Sequence, residues 1–201
     1  MNEQRLVLGG YAAAPRAIRR QWQDAATLPP WLVTASECLT GAEHGSGAAW
    51  YTDRAEAAGP GTTVLAVGFD AEDAADLLRE VTGDPLRLLA AGTAMPDDAR
   101  LWGFEVVGVE GRLASLHSWL CHGYEAEVAS ELGIRPNTCG LLDTHEQASQ
   151  VVEWMLELPA EQAPAPVYWT VAALAECGAG GSGAAGPGPA QPSRSLSLKR
   201  A

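Results

Sequence analysis

Lysine is nearly missing from this chain: Lys199 is the single one in 201 residues. A body without lysine has no P-loop, whose lysine must reach the terminal phosphates, and no Schiff-base or pyridoxal-phosphate chemistry. Lys and Arg together number 13 against 25 Asp and Glu, a net charge of −12. Phosphate affinity comes from clustered cations, so nucleic-acid binding is not expected, and an anionic membrane surface is disfavoured for the same reason. No run approaches the roughly 18 to 20 apolar residues of a membrane helix. Residues 1–21 do not follow a signal peptide's order, because Glu3 precedes the first Arg and Gly9, Gly10 and Pro15 break the apolar stretch.

Cysteine is scarce too. Cys38, Cys121, Cys139 and Cys177 are far apart with no C-x-x-C, which in a chain of this length argues against a disulfide framework. The expected compartment is the cytoplasm, with free thiols. There is no G-x-S-x-G elbow, no H-E-x-x-H and no EF-hand loop. Isoleucine is limited to Ile18 and Ile134 while alanine abounds, a skew expected of a GC-rich bacterial genome such as an actinobacterium's. That reflects mutational bias and carries nothing about function.

What remains is a globular composition, 47% hydrophobic and 19% charged, long enough to bury a core without disulfides or metal. The chain divides into one domain over 1–176 and a low-complexity tail over 177–201. Gly, Ala, Pro and Ser in that tail bury too little apolar area to offset chain entropy, so disorder is expected there. Its formal G-x-G-x-x-G (Gly181, Gly183, Gly186) follows no strand and precedes no helix, and is compositional.

Within the body, Arg5 to Leu8 reads as a strand stopped by Gly9-Gly10, and Ala14 to Ala25 as a helix. Trp31 to Thr34 reads as a strand, and a Gly-rich loop precedes Trp50-Tyr51. Thr63 to Val67 is a β-rich apolar run, followed by a helix capped by Asp70 with Asp73 at N3. Leu101 to Val109 is the clearest strand. After Glu110-Gly111 the spacing predicts one long helix from about Leu113 to Leu132, with Gly133 at C′ and Pro136 beyond. Asp143 with Glu146 predicts the cap of a last helix, ended by Pro159, and Val167 to Val171 is the closing strand. The fold class is α/β or α+β: a single mixed sheet packed by three to four helices. The turns at Asp70 and Gly111 are expected on one rim, where such folds commonly place ligands.

The densest reactive cluster is His117-Ser118-Trp119-Leu120-Cys121-His122. On a helix His117 and Cys121 share a face. With Cys139 and His145 they make a formally complete zinc set. The spacing lacks the tight knuckles of structural zinc sites, so buried thiols are the expectation and no metal or cofactor is assigned. Cys121 with His117 or His145 as base and Asp143 as orienter is the nucleophilic alternative. A mid-helix position in an acidic chain disfavours the thiolate, and no catalytic residue is assigned. Asp97-Asp98 reads as a solvated loop, and Arg16, Arg19 and Arg20 as a small basic face paired with nearby acids.

The acids are organised. Asp70 to Glu110 holds ten against three arginines, and Glu125 to Glu161 holds eight against Arg135 alone. Such a face keeps a protein soluble and also steers a basic partner. Of seven tryptophans, most fall in apolar elements expected in the core. Trp31 and Trp50-Tyr51 are the exposed aromatics expected to act as contact anchors. The expected function is therefore a non-enzymatic interaction module, of the kind inhibitor and immunity proteins represent. It would bind a basic protein through Glu125, Glu127, Glu131, Trp31, Trp50 and Tyr51. A small-molecule enzyme, or a metal- or ligand-binding accessory protein built on the His117, Cys121, Cys139 and His145 region, is the alternative. Oligomeric state is not readable.

Overall fold

A computed structural model describes residues 6–14, 32–36, 51, 53–59, 62–72, 74, 93–110, 115–159 and 168–178. These form one five-stranded sheet: β1 (Leu6–Ala14), β2 (Thr63–Asp70), β3 (Ala99–Glu110), β4 (Ser115–Ser118) and β5 (Tyr168–Cys177). The order across the sheet is β1-β2-β5-β3-β4. Every pairing is antiparallel, so the expected mixed sheet is corrected to an antiparallel one, in an α+β arrangement. The helices described are α1 (Arg54–Ala57), α2 (Glu125–Glu131) and α3 (His145–Leu156), with a 3-10 turn over Trp119–His122. No helix among the described residues is long and apolar enough to cross a membrane.

β5 runs down the middle of the sheet and is covered on both faces. Its alternation divides the core: Ala172 and Leu174 join Leu65, Val67, Phe69 and Val107 on one side. Val171 and Ala173 join Phe104 and Val106 on the other, under α3. The small alanines leave room for the second layer. Ala148, Val151 and Met155, at helical spacing, form the buried stripe of α3. Burial of Val151 and Met155 stabilises the pairing of helix and sheet by about 1.5–3 kcal/mol apiece.

Three expectations fail for local reasons. Gly9-Gly10 does not stop β1. The register skips from Leu8 to Gly10, so the pair makes a bulge inside a longer strand, a common use of glycine in sheets. The helix expected over Leu113 to Leu132 does not exist as one element. Ser115 to Ser118 pairs with Val107 to Glu110 as an edge strand, the 3-10 turn follows, and Gly123 at φ 74 interrupts the chain before α2. That left-handed backbone costs other residues about 1–2 kcal/mol, so a helix cannot run through it. Of the strand expected over Trp31 to Thr34, residues 32–34 are described, and they carry no regular secondary structure, nor do residues 35 and 36.

Other expectations land close. β2 and β3 both run antiparallel to β5, so they point the same way and finish at the same end of the sheet, with Gly111 itself outside the described residues. A hairpin to β4, not a helix, follows β3 there. Asp70 Oδ1 accepts from the Glu72 amide, and residues 71, 72 and 74 are helical. The rest of that helix, the helix over Ala14 to Ala25 beyond its first residue, the basic face at Arg16, Arg19 and Arg20, and the tail from residue 179 lie outside the described residues. β5 continues through Cys177, which pairs with Ala99.

Candidate interaction face and the buried polar network

α2 is short and is anchored by one residue, the fully buried Val128. Glu127 and Glu131 are exposed and lie four residues apart on one face, while Glu125 is half-buried at the first turn. α3 presents Glu146 and Glu153 outward, with Glu157 at its C-cap; all three are exposed. The two helices are joined by a hydrogen bond from Trp154 Nε1 to Glu131 Oε2, 2.7 Å. Arg135 is the one cation between Glu125 and Pro159.

A chain of aromatic rings runs from the sheet to this face. The buried Trp169 on β5 meets His122 edge-on, with centroids 5.5 Å apart and planes at 72°. His122 stacks on Tyr124 at 5.9 Å and 14°. Tyr124 meets Trp154 edge-on at 5.6 Å and 72°. His122, Tyr124 and Trp154 are half-buried.

Beneath lies a second grouping, wholly internal. Glu105 on β3 has no solvent exposure. Its Oε1 accepts from the Thr34 hydroxyl and its Oε2 from the Ala35 amide at 2.8 Å. Thr34 Oγ1 accepts from the Ser36 amide at 2.9 Å. The Ser36 hydroxyl lies 3.4 Å from Cys121 Sγ, which also accepts from the Ser118 amide at 3.4 Å. Four of the five buried polar residues described, Thr34, Ser36, Glu105 and Ser118, belong to this network. A buried carboxylate loses several kcal/mol of hydration, and hydrogen bonds must offset it. Glu105 thereby ties the irregular segment 32–36 to the sheet.

The sequence-derived sites fare unevenly. His117 is half-buried on β4 opposite Gly108, and Cys121 is buried in the 3-10 turn, so the helix face that was to pair them is absent. Cys139 is buried in the core cluster on the other side of the sheet from Cys121's. His145 opens α3, with Nδ1 3.1 Å from Ser149 Oγ and its ring edge-on to Phe104 at 5.6 Å. Among the described residues no three His, Cys, Asp or Glu side chains gather where they could hold a metal ion, and the four-ligand zinc set is not assembled. Asp143 is exposed and accepts from Asn137 Nδ2 at 3.1 Å. It is not the helix cap: Thr144 takes that role, accepting from the Gln147 amide.

Tyr51 is half-buried and exchanges two backbone hydrogen bonds of 2.8 Å with Tyr11, extending the sheet beside β1. Trp31 and Trp50 lie outside the described residues. Asp98 is more than a solvated loop residue. It pairs with the Arg54 guanidinium through both oxygens, at 3.1 and 2.8 Å, and Arg54 also donates to the Gly178 carbonyl. That hydrogen-bonded pairing holds the Asp98 carboxyl below the usual aspartate range. Nearby, burial pushes the Cys177 thiol and the Tyr11 phenol above their usual ranges.

Sequence reading missed Glu105, which counted only as one acid among ten, and passed over the ring contacts of His122, Tyr124 and Trp154. The one available signal was Glu105's place inside the apolar alternation of Leu101 to Val109. No family model, no curated protein and no solved structure matches this chain.

Proposed function

We propose that this chain is a non-enzymatic interaction module that holds a basic protein partner on the face built by α2 and α3. The observation that carries the reading is the Trp154–Glu131 hydrogen bond. It sets a half-buried indole between the acids of α2 and those of α3, with Arg135 the one nearby cation in sequence. An aromatic anchor ringed by charge of one sign is the composition that gives both contact energy and a fast, oriented encounter. Inhibitor and immunity proteins use such a face to neutralise a basic target.

Affinity capture at low and high salt, followed by titration of the recovered protein, tests this. The expected partner is basic, is recovered near stoichiometrically, and weakens as salt rises, because exposed pairs are screened beyond about 10 Å at 0.1 M. The triple variant Glu125→Lys, Glu127→Lys, Glu131→Lys should bind at least about tenfold more weakly while keeping its fold, since Glu127 and Glu131 are exposed, Glu125 is only half-buried, and the Trp154–Glu131 bond lies at the surface. A tight complex indifferent to both salt and charge reversal rejects the proposal.

A further inference from the structure

We propose that the corner between Tyr124 and Trp154 receives an arginine side chain of that basic partner. The inference rests on the acidic-face reading and specifies its chemistry. The two rings meet edge to face at 72°, with centroids 5.6 Å apart, so their planes form the two walls of a corner. Ring faces are the negative pole of the aromatic quadrupole and attract cations. The Trp154 N–H donates to Glu131, which leaves the indole more electron-rich and places a carboxylate at the rim of the corner. A carboxylate that accepts one hydrogen bond keeps lone pairs for a second donor.

The corner is also held in place before any partner arrives. Tyr124 is backed by the stacked His122 ring, and His122 abuts Trp169, which is buried on the central strand. Trp154 packs against the core cluster beneath it and is held from the side by Glu131. A site whose side chains are already ordered loses less entropy on binding. The required ligand must lie flat on a ring and donate to a carboxylate at its edge. The guanidinium group does both, being planar, weakly hydrated and fork-shaped; an ammonium is a strongly hydrated point charge. Glu127, on the same face of α2 as Glu131, adds to the attraction.

The test follows the Trp154 indole N–H resonance in the full chain during titration with blocked short peptides that differ only in carrying arginine, lysine or citrulline. The arginine peptide should shift that resonance saturably, the lysine peptide should bind about two- to fivefold more weakly, and citrulline should leave the resonance in place. Tyr124→Leu should weaken the arginine peptide by a similar factor. The comparison among peptides uses the unaltered chain, so it decides the matter even where Tyr124→Leu fails to fold. Equal response to arginine and lysine, or no saturable shift with arginine, overturns the arginine corner. If the triple charge reversal still abolishes partner binding, the acidic-face reading survives that result. If charge reversal also changes nothing, both fall together.

Discussion

The carboxylate of Glu105 accepts a hydrogen bond from the backbone N–H of Ala35, 70 residues earlier in the chain. Together with the Thr34 hydroxyl, that contact fastens a segment without regular structure to the middle of β3. Removing the carboxylate leaves two buried donors unsatisfied and a cavity. Glu105→Ala should therefore lower stability by about 3 kcal/mol or more, whereas Thr34→Val, which keeps the Ala35 contact but removes one donor to Glu105 and the acceptor of the Ser36 amide, should cost about 1–2 kcal/mol. Urea unfolding of the two variants gives the comparison. Equal losses at the two positions count against the network as drawn.

The cap of α3 offers a sharper discrimination, because neighbouring residues compete for the role. Thr144 Oγ1 accepts from the Gln147 amide, and Gln147 Oε1 in turn accepts from the Asp143 amide at 3.2 Å. Thr144→Ala should cost about 1 kcal/mol, the usual worth of a cap. Asp143→Ala removes only an exposed contact and should fall within about 0.5 kcal/mol of the parent. A reversed order in urea midpoints would return the cap to Asp143.

Two glycines with similar backbone should respond differently to alanine. Gly123 (φ 74) has open space where a Cβ would stand, so Gly123→Ala pays the left-handed backbone alone, about 1–2 kcal/mol. At Gly140 (φ 80) the same methyl would fall inside the side chain of Leu32, which is itself buried. Adding about 1–3 kcal/mol for overpacking puts Gly140→Ala near 2–5 kcal/mol. Thermal unfolding of both variants checks the difference.

Cys177 should be the least reactive kind of thiol. Burial pushes its proton affinity up, and the Arg54 guanidinium only partly opposes this. Alkylation of native protein at neutral pH should run at least about tenfold slower at Cys177 than at a small-molecule thiol. The same shift, with that of Tyr11, fixes a pH dependence. A folded-state pKa above the unfolded one favours the protonated native form. That stability is fully present below the ordinary thiol value of about 8.5 and is lost as pH rises through the folded values. Melting temperature should thus fall on the alkaline side, and Cys177→Ala should flatten the first part of that fall. A parallel decline in parent and variant would sever Cys177 from it.

What the sequence conveyed follows from how far each signal reaches along the chain. The run Leu101 to Val109 announces a strand because alternation is local, and β3 contains it. The same run cannot say that Glu105 is internal, because its partners come from residues 34 and 35. The stretch Leu113 to Leu132 has apolar residues that satisfy helical spacing, yet Ser115 to Ser118 gains more from β3's open edge, and Gly123 suits a turn. The His117–Cys121 pairing went with that helix. Trp169, within the apolar closing strand, is buried, as expected of tryptophans in apolar elements. The corner of Tyr124 and Trp154 draws on two helical regions separated by an irregular loop, and no spacing rule connects them. Apart from the half-buried Glu125, the acids of α2 and α3 were legible as outward-facing because helical periodicity alone places them.

The position of β5 has a consequence for how the molecule is made. In chain order β1 and β2 come first, then β3 and β4, and the strand that lies between the two pairs comes after all of them. The inner edges of β2 and β3, however, stay unfilled until residues 168–177 leave the ribosome. Those two edges point the same way along the chain and carry apolar side chains, so a nascent molecule holds two raw borders that invite each other or a neighbour. The last of the described strands is the keystone of the sheet. A chain stalled or cleaved before Tyr168 is therefore not a shortened version of this protein but a pair of unjoined sheet fragments.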